Sequence, residues 1–408
     1  MKILCVSLGC DKNLVDTEMM LGLLNRDGHT FTDDENEADI IVVNTCCFIN
    51  DAKEESVNTI LEMAELKKTG KCKALIVTGC MAQRYKQEIL EEIPEVETSR
   101  IITTGGHYAF LKIAEGCDKH CTYCIIPSLR GNYRSVPMER LLKEANQLAD
   151  QGVRELILVA QETTLYGMDL YGKKMLPELL HKLAEIPGIY WIRIQYCYPE
   201  EITDEFIEAI RTEEKVCHYL DVPIQHASDR ILKRMGRRTN QAQLREIIGK
   251  LRAAVPDIAL RTTMISGFPG ETQEDHEEVM RFVDEMEFER LGVFTYSAEE
   301  DTPAAAFPDQ IPEEVKEERR DEIMELQQEI AFEKSESMVG RVLDVMIEGK
   351  VADEAAYVGR TYMDAPNVDG YIFVNSGELF MSGDFVRVKV TGSNDYDLIG
   401  EVYDESAE

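Results

Sequence analysis

Three thiols fall within eight residues of this chain, at Cys117, Cys121 and Cys124, with three residues in the first gap and two in the second. Thiolates are soft ligands, and so tight a run suits zinc or an iron–sulfur cluster. A structural zinc site closes with four ligands, often as two Cys pairs or with a downstream His. Here no second CxxC follows, and His120 inside the loop reads as pointing outward. Three ligands on a four-iron cluster leave one iron open to a substrate or cofactor. A zinc knuckle completed by a distant residue is the competing reading.

Three more cysteines gain meaning from the elements around them. Apolar spacing predicts strands over 2–6, 39–43 and 73–78, with helices over 14–26, 51–68 and 83–92, the last stopped near Pro94. Such alternation implies a parallel sheet with helices packed on it. Cys10, Cys46 and Cys80 each lie just beyond one of the three strands. The carboxyl ends of neighbouring parallel strands face one crevice, where ligands bind, so these thiols are expected to converge on a second metal cluster. Separate burial of each as a core residue is the alternative. It accounts for one or two of them, but poorly for three at equivalent strand ends. Cys5, inside the first strand, and Cys72, just before the third, read as structural.

The next stretch predicts strands over 110–114, 155–160, 190–195, 219–222, 258–264 and 291–296. Helices are predicted over 137–151, 176–186, 203–211, 228–235, 241–254 and 273–286. Six strand–helix units point to a partial or irregular (βα) barrel, with its chemistry at the carboxyl ends of the strands. Gln161-Glu162-Thr163-Thr164, Asp221-Val222-Pro223-Ile224-Gln225-His226 and Gly267-Phe268-Pro269-Gly270-Glu271 sit at such ends. The two glycines of the last group allow backbone to approach a ligand, although a Gly-Pro turn is also ordinary loop punctuation. Arg230, Lys233, Arg234, Arg237 and Arg238 make a basic island, fit to hold a carboxylate or to form a solvated helix face.

Residues 312–337 read as one charged connector helix. Beyond it, five short runs at 342–347, 357–362, 371–375, 385–391 and 398–403 suggest a small β-barrel of the oligonucleotide-binding kind. Yet residues 340–408 hold 5 basic and 14 acidic residues, and the whole chain 44 against 77, a net charge of −33. Binding nucleic acid needs a basic face to neutralise phosphates, so this charge counts against it and suits a basic partner instead. Acidity that serves only solubility is the plainer account. The apolar run at the N-terminus is too short for a signal peptide, and no stretch approaches the roughly 20 residues that span a bilayer. Eleven cysteines in such a chain lead us to expect a reducing cytoplasm and metal binding rather than disulfides.

The whole chain resembles the radical S-adenosylmethionine methylthiotransferases. The motifs that carry the resemblance are Ser7-Leu8-Gly9-Cys10-Asp11-Lys12-Asn13, Asn44-Thr45-Cys46, Thr78-Gly79-Cys80-Met81-Ala82-Gln83 and the Cys117, Cys121, Cys124 spacing. The resemblance implies an α/β chain of three domains: an auxiliary-cluster domain at 1–104, a radical barrel with its connector helix at 105–337, and a TRAM β-barrel at 338–408. It implies that Cys117, Cys121 and Cys124 hold a 4Fe–4S cluster whose open iron chelates S-adenosylmethionine. Cys10, Cys46 and Cys80 would hold a second 4Fe–4S cluster that carries the sulfur to be methylated and transferred. No catalytic residue beyond these ligands is expected. Tyr123, Glu162, Gly267 and Pro269 are assigned to cofactor contacts by position rather than by distinctive chemistry.

Within the family, Gly9-Cys10-Asp11-Lys12-Asn13-Leu14-Val15-Asp16, Tyr133-Arg134-Ser135 and Gly359-Arg360-Thr361-Tyr362-Met363-Asp364-Ala365-Pro366 are similar to one branch. That branch modifies the β-carbon of an aspartate in ribosomal protein S-twelve; a sister branch modifies an adenosine in tRNA. The implied partners are that basic ribosomal protein, free or in the small subunit, and an electron donor such as flavodoxin or ferredoxin. A membrane is not implied, and charge counts against tRNA. The sequence departs from the family twice. Cys47 stands where glycine is usual, and between Pro94 and Phe110 the chain is well short of the usual strand, helix and linker.

Overall fold

The computed structural model describes residues 1–46, 50–69, 71–80, 106–352 and 354–403. The chain divides into two compact units. One comprises Met1–Thr103, Glu115–Arg134 and Ser297–Ala306, the other Thr104–Ala114, Ser135–Tyr296 and Phe307–Glu408.

In the first unit, β1 (Lys2–Ser7), β2 (Thr30–Phe31), β3 (Ile40–Thr45) and β4 (Ala74–Gly79) form a parallel sheet in the order β2-β1-β3-β4. The β-branched run Ile40-Ile41-Val42-Val43 suits the centre of such a sheet, which helices cover. Helix α1 (Asp11–Arg26) begins directly after its N-cap, Cys10. It starts ahead of the 14–26 pattern because polar Asp11, Lys12 and Asn13 form its first turn. Helix α2 (Asn50–Thr69) contributes Met63 to a core with Leu4, Ile41, Val43 and Cys72, so Cys72 is a packing residue. Burial pushes the Cys5 thiol up to about 11. The two-residue strand β2 pairs with Lys2 and Ile3 and was too short for any periodic pattern. The helix expected at 83–92 lies outside the described residues, as does Cys47.

The second unit holds a six-stranded parallel sheet. Beyond β5 (Tyr108–Lys112) and the two-residue strands β6 (Ala114–Glu115) and β7 (Arg134–Ser135) come β8 (Glu155–Val159), β9 (Trp191–Ile194), β10 (Val216–Asp221), β11 (Ala259–Ser266) and β12 (Arg290–Thr295). The sheet order is β5-β8-β9-β10-β11-β12, so successive strands lie side by side, as in a partial (βα) barrel. Helices Met138–Asp150, Leu176–Ala184, Asp204–Thr212, Asp229–Arg234, Gln241–Ala254 and Gln273–Met286 fall where periodicity puts them. Thr203, Asn240 and Thr272 cap three of these by accepting from the backbone N–H of Phe206, Gln243 and Asp275. After the helix Glu313–Ser337, strands β13 (Val342–Lys350), β14 (Ala356–Arg360), β15 (Ile372–Asn375), β16 (Phe385–Asn394) and β17 (Asp397–Val402) close into a barrel.

One segment of that small barrel and the turn after it, residues 360–369, meets every strand of the six-stranded sheet. Register and the two-residue repeat put Tyr108, Glu155, Arg193, Tyr219, Arg261 and Arg290 on one face of the sheet. Asn367 donates to the Tyr108 hydroxyl at 3.1 Å. Arg360 donates to Glu155 at 2.6 Å, and Arg193 donates to Glu155 at 2.7 Å and to the Tyr362 carbonyl at 2.6 Å. The Tyr219 hydroxyl donates to Asp369 at 2.9 Å; Arg261 lies 3.4 Å from Asp369, and Arg290 pairs with Asp364. The side chains of Glu155, Arg193 and Arg360 are fully buried. Glu348 pairs with both Arg360 and His107.

Such a layer is strong only while complete, because each ion has lost its water. Burial pushes the Glu155 carboxyl up, but the Arg360 and Arg193 guanidiniums outweigh it and hold it below its ordinary value. Glu348 is likewise held down against burial by His107 and Arg360. Asp275 is held to about 2 against burial, chiefly by Arg230 and Ser228. Asp369 goes the other way, since burial outweighs Arg261 and Arg290.

Two outcomes follow for this unit. Replacing Glu155 with Leu leaves buried Arg193 without a carboxylate and Arg360 with Glu348 alone, and is expected to cost about 3–5 kcal/mol in denaturant unfolding. Three depressed carboxyls against one raised mean that the unfolded chain takes up protons more readily. The stability they contribute is present above the ordinary carboxylate value of 4.5 and is lost as pH falls below it, which midpoints measured at pH 7 and pH 4 would register.

Candidate functional site

The first unit brings Cys10, Cys46 and Cys80 together at one end of its sheet. In the ladder Ser7 pairs with Asn44 and Asn44 with Thr78, so the three chains leave the sheet side by side. Cys46 and Cys80 are buried and Cys10 is exposed. Burial raises the Cys80 thiol to about 11; Arg130 opposes that shift, and the neighbouring Cys46 and Cys10 thiols add to it. Gly9 makes the approach possible. It holds φ +90°, and a Cβ there would meet the Cys46 Cβ at 2.6 Å and its Sγ at 2.8 Å.

Asn13 ties the three ends together. Its amide donates to the Leu8 carbonyl at 2.9 Å and to the Thr45 carbonyl at 3.1 Å, holding the loops that lead to Cys10 and Cys46. Its Oδ1 lies 3.9 Å from the Cys80 Sγ and accepts from Arg130. Arg130 also donates to Asp16 at 2.9 Å. Asn44 donates to the Asn13 carbonyl at 2.9 Å, and Ser56 both accepts from the Cys46 N–H and donates to its carbonyl. Sequence analysis gave these residues no role. The signal was a polar Asn inside the first helical turn, where it should face solvent, but is instead 1% exposed.

The second cysteine set lies in the same unit. Cys117 and Cys121 are buried, and Cys117 N–H donates to the Gly131 carbonyl at 3.2 Å. Cys124 keeps some residue surface exposed, yet burial of its thiol raises it to about 12, opposed by the Ile126 backbone and reinforced by Cys121 and Cys117. His120 is exposed, with φ 52°, as its outward reading requires. Tyr123 is half-buried beside Thr122, whose carbonyl accepts from the Ala304 N–H at 2.9 Å. Cys80 packs with Ile125 and Leu129, just past this loop. Among the described residues no three His, Cys, Asp or Glu side chains stand close enough to hold a single metal ion. Two all-thiol sets have the soft-donor chemistry that an iron–sulfur cluster requires. Cluster binding would strip the protons that burial favours on Cys80 and Cys124.

The remaining candidates lie in the second unit, at the carboxyl ends of its strands. Glu162, beyond β8, is fully buried and accepts from the Thr164 N–H at 3.0 Å and from its hydroxyl. Gly267 directly follows β11 with φ +69°. A Cβ there would meet Lys316 Cγ at 2.2 Å, so in this fold the glycine admits the stem of Lys316. Pro269 offers its carbonyl to Arg234 at 3.1 Å. Arg230 donates to the Gly270 carbonyl at 2.7 Å, and Arg237 to that of Pro223 at 2.8 Å. Much of the basic island thus braces these loops. Gln195, beyond β9, is an addition: its Oε1 is buried and has no hydrogen-bond donor among the described residues. A bound molecule with amino or hydroxyl groups fits that acceptor.

Residues 2–99 match uncharacterized protein family UPF0004, 111–283 the radical SAM superfamily and 339–402 the TRAM domain. The chain is 64% identical to ribosomal protein uS12 methylthiotransferase RimO of Lachnoclostridium phytofermentans, over 98% of this chain and 99% of that protein. It belongs to the RimO family. RimO proteins of Acetivibrio thermocellus and Clostridioides difficile are 49% and 47% identical, each over 100% of this chain and over 99% and 100% of their own lengths. The first alignment spans 437 positions and this RimO chain has 408 residues, so at least 29 positions have no residue here. The stretch between Pro94 and Phe110, expected to be short, lies mostly outside the described residues. Among solved structures, the radical S-adenosylmethionine methyltransferase TsrM of Kitasatospora setae superposes with a TM-score of 0.52 at 13% identity. That match covers 86% of this chain and 79% of TsrM and speaks for the fold. The radical SAM superfamily implies a 4Fe–4S cluster and S-adenosylmethionine, and the all-thiol loop at 117–124 has the chemistry for the first. Among the described residues no helix is long and apolar enough to cross a membrane.

Asn13→Ala removes two hydrogen bonds that hold the loops leading to Cys10 and Cys46, together with the Oδ1 that faces Cys80, and so bears on the two buried thiols, Cys46 and Cys80. Losing them should cost about 1–3 kcal/mol locally, and alkylation of those two thiols in cluster-free protein should quicken about tenfold, read by mass spectrometry of the labelled peptides.

Proposed function

We propose that this protein transfers a methylthio group to the β-carbon of an aspartate in ribosomal protein uS12, using two 4Fe–4S clusters and S-adenosylmethionine. The observation that carries the reading is the pairing of two separate three-thiol sets within one unit. Cys117, Cys121 and Cys124 hold the cluster that binds S-adenosylmethionine, and Cys10, Cys46 and Cys80 hold the second. When bound, these groups supply the radical that activates the carbon and the sulfur that replaces its hydrogen. The chain's own residues position and enclose. Asn13 and Ser56 fix the loops of the second set, Arg130 places positive charge beside Cys80, and Cys46, Cys80, Cys117 and Cys121 are buried.

Tyr123, Glu162, Gly267 and Pro269 belong to the S-adenosylmethionine side in this reading, and Gln195 joins them as an acceptor. The domain roles divide as 1–104 for the second cluster, 105–337 for the radical barrel and 338–408 for the TRAM barrel. The partner is the basic ribosomal protein, free or in the small subunit. A net charge of −33 favours it over tRNA, whose phosphates an acidic surface repels. A cytoplasmic flavodoxin or ferredoxin supplies the electron.

The test is anaerobic reconstitution with iron and sulfide, followed by mass spectrometry of reactions with a uS12 peptide or a tRNA. A methylthio group is expected on the peptide alone; gain on tRNA alone would overturn the substrate assignment. Iron should fall from about eight to about four atoms per chain when Cys10, Cys46 and Cys80 are changed to Ser together. An unchanged iron content would remove the second cluster from the reading.

A further inference from the structure

Asp221, at the end of β10, is buried, and its two oxygens face opposite ways. Oδ1 accepts from Arg261 at 3.0 Å, and Oδ2 accepts from the backbone N–H of Tyr196 at 3.0 Å. Tyr196 holds φ 62°, a left-handed conformation that a bulky residue adopts only when its surroundings impose it. The Tyr196 carbonyl in turn accepts from the Thr163 N–H at 3.1 Å, and the Thr163 hydroxyl donates to the Gln195 carbonyl at 2.8 Å. Thr163 is the neighbour of Glu162, and Gln195 bears the buried unpartnered acceptor. In the other direction Arg261 reaches Asp369, in the turn that follows β14, and Asp369 is anchored by the Tyr219 hydroxyl and the Ala365 N–H. An unbroken line of polar contacts therefore runs from the small barrel, through Arg261 and Asp221, to the strand-end loops that carry Gln195 and Glu162. Every member lies in the second unit.

We propose that Asp221 is a positioning residue for the S-adenosylmethionine end of the barrel, and that Asp369 of the C-terminal barrel acts on that end through it. The small barrel thereby helps to set the backbone at Tyr196, besides closing the sheet below. Only the consequence for turnover rests on the proposed function; the structural coupling stands apart from it. Spatial continuity alone does not establish coupling, so the test must perturb one end and read the other.

The experiment is amide hydrogen exchange on the full chain without cofactors, comparing wild type, Asp221→Asn, Asp369→Asn, the double variant and Tyr219→Phe. Asp221→Asn should speed exchange at Tyr196 about tenfold, as expected for one weakened hydrogen bond to a charged acceptor. Asp369→Asn should speed the same amide severalfold, and the double variant should exceed Asp221→Asn alone by little, because the two act in series. Tyr219→Phe removes one anchor of Asp369 but leaves both charges of its contact with Arg261 in place, and should leave Tyr196 near wild type. In reconstituted enzyme, Asp369→Asn should raise KM for S-adenosylmethionine in 5′-deoxyadenosine formation without ribosomal substrate, with kcat changed less. If Asp369→Asn leaves Tyr196 exchange unchanged, or if it and Tyr219→Phe loosen the unit alike, the line is structural cement and the proposal falls. Failure to modify uS12 with the exchange pattern intact would sink the substrate reading and leave this one standing.

Discussion

A buried carboxylate shared by two buried guanidiniums constrains most of the second unit. Glu155 lies between Arg193 and Arg360 with no surface left to water, so its charge must be met inside the protein. Meeting it fixes the small barrel against one face of the six-stranded sheet, and Asp364 and Asp369 answer Arg290 and Arg261 along the same segment. Hydrophobic contacts tolerate some sliding. A layer of desolvated ions does not, because one displaced partner leaves its mate uncompensated.

In the first unit neutral hydrogen bonds serve a comparable end. The amide of Asn13 spans two loops that start from different strands, and its Oδ1 faces the thiol at the end of a third. Three cysteines thus meet around one side chain, with Arg130 opposing the rise that burial imposes on the Cys80 thiol. The two units solve one problem twice, holding polar groups out of water by pairing them with one another.

Much of this architecture was legible in local pattern. The three strand ends that carry Cys10, Cys46 and Cys80 could be placed because alternation of strand and helix reports on a few residues at a time. The five short runs of the C-terminal barrel were equally plain. What escaped was whatever depends on distant partners. Gly267 suggested a ligand, yet its open side admits Lys316. The basic island offered two readings, and most of its arginines are spent on the chain's own carbonyls. Arg360 stood out as part of a motif, but nothing near it in sequence points to Glu155, 205 residues earlier.

That separation bears on how the molecule is made. The six strands of the barrel leave the ribosome well before residue 360, and domains fold as they emerge. Until the segment 360–369 is made, Glu155 has Arg193 but not Arg360, Arg261 has Asp221 but not Asp369, and Arg290 lacks Asp364. The nascent barrel therefore lacks the carboxylates of Asp364 and Asp369 until that segment follows. Completion of the buried charge layer thus depends on a segment made long after the strands it covers, and a chain halted before Asp369 would leave Arg261 and Tyr219 without that partner.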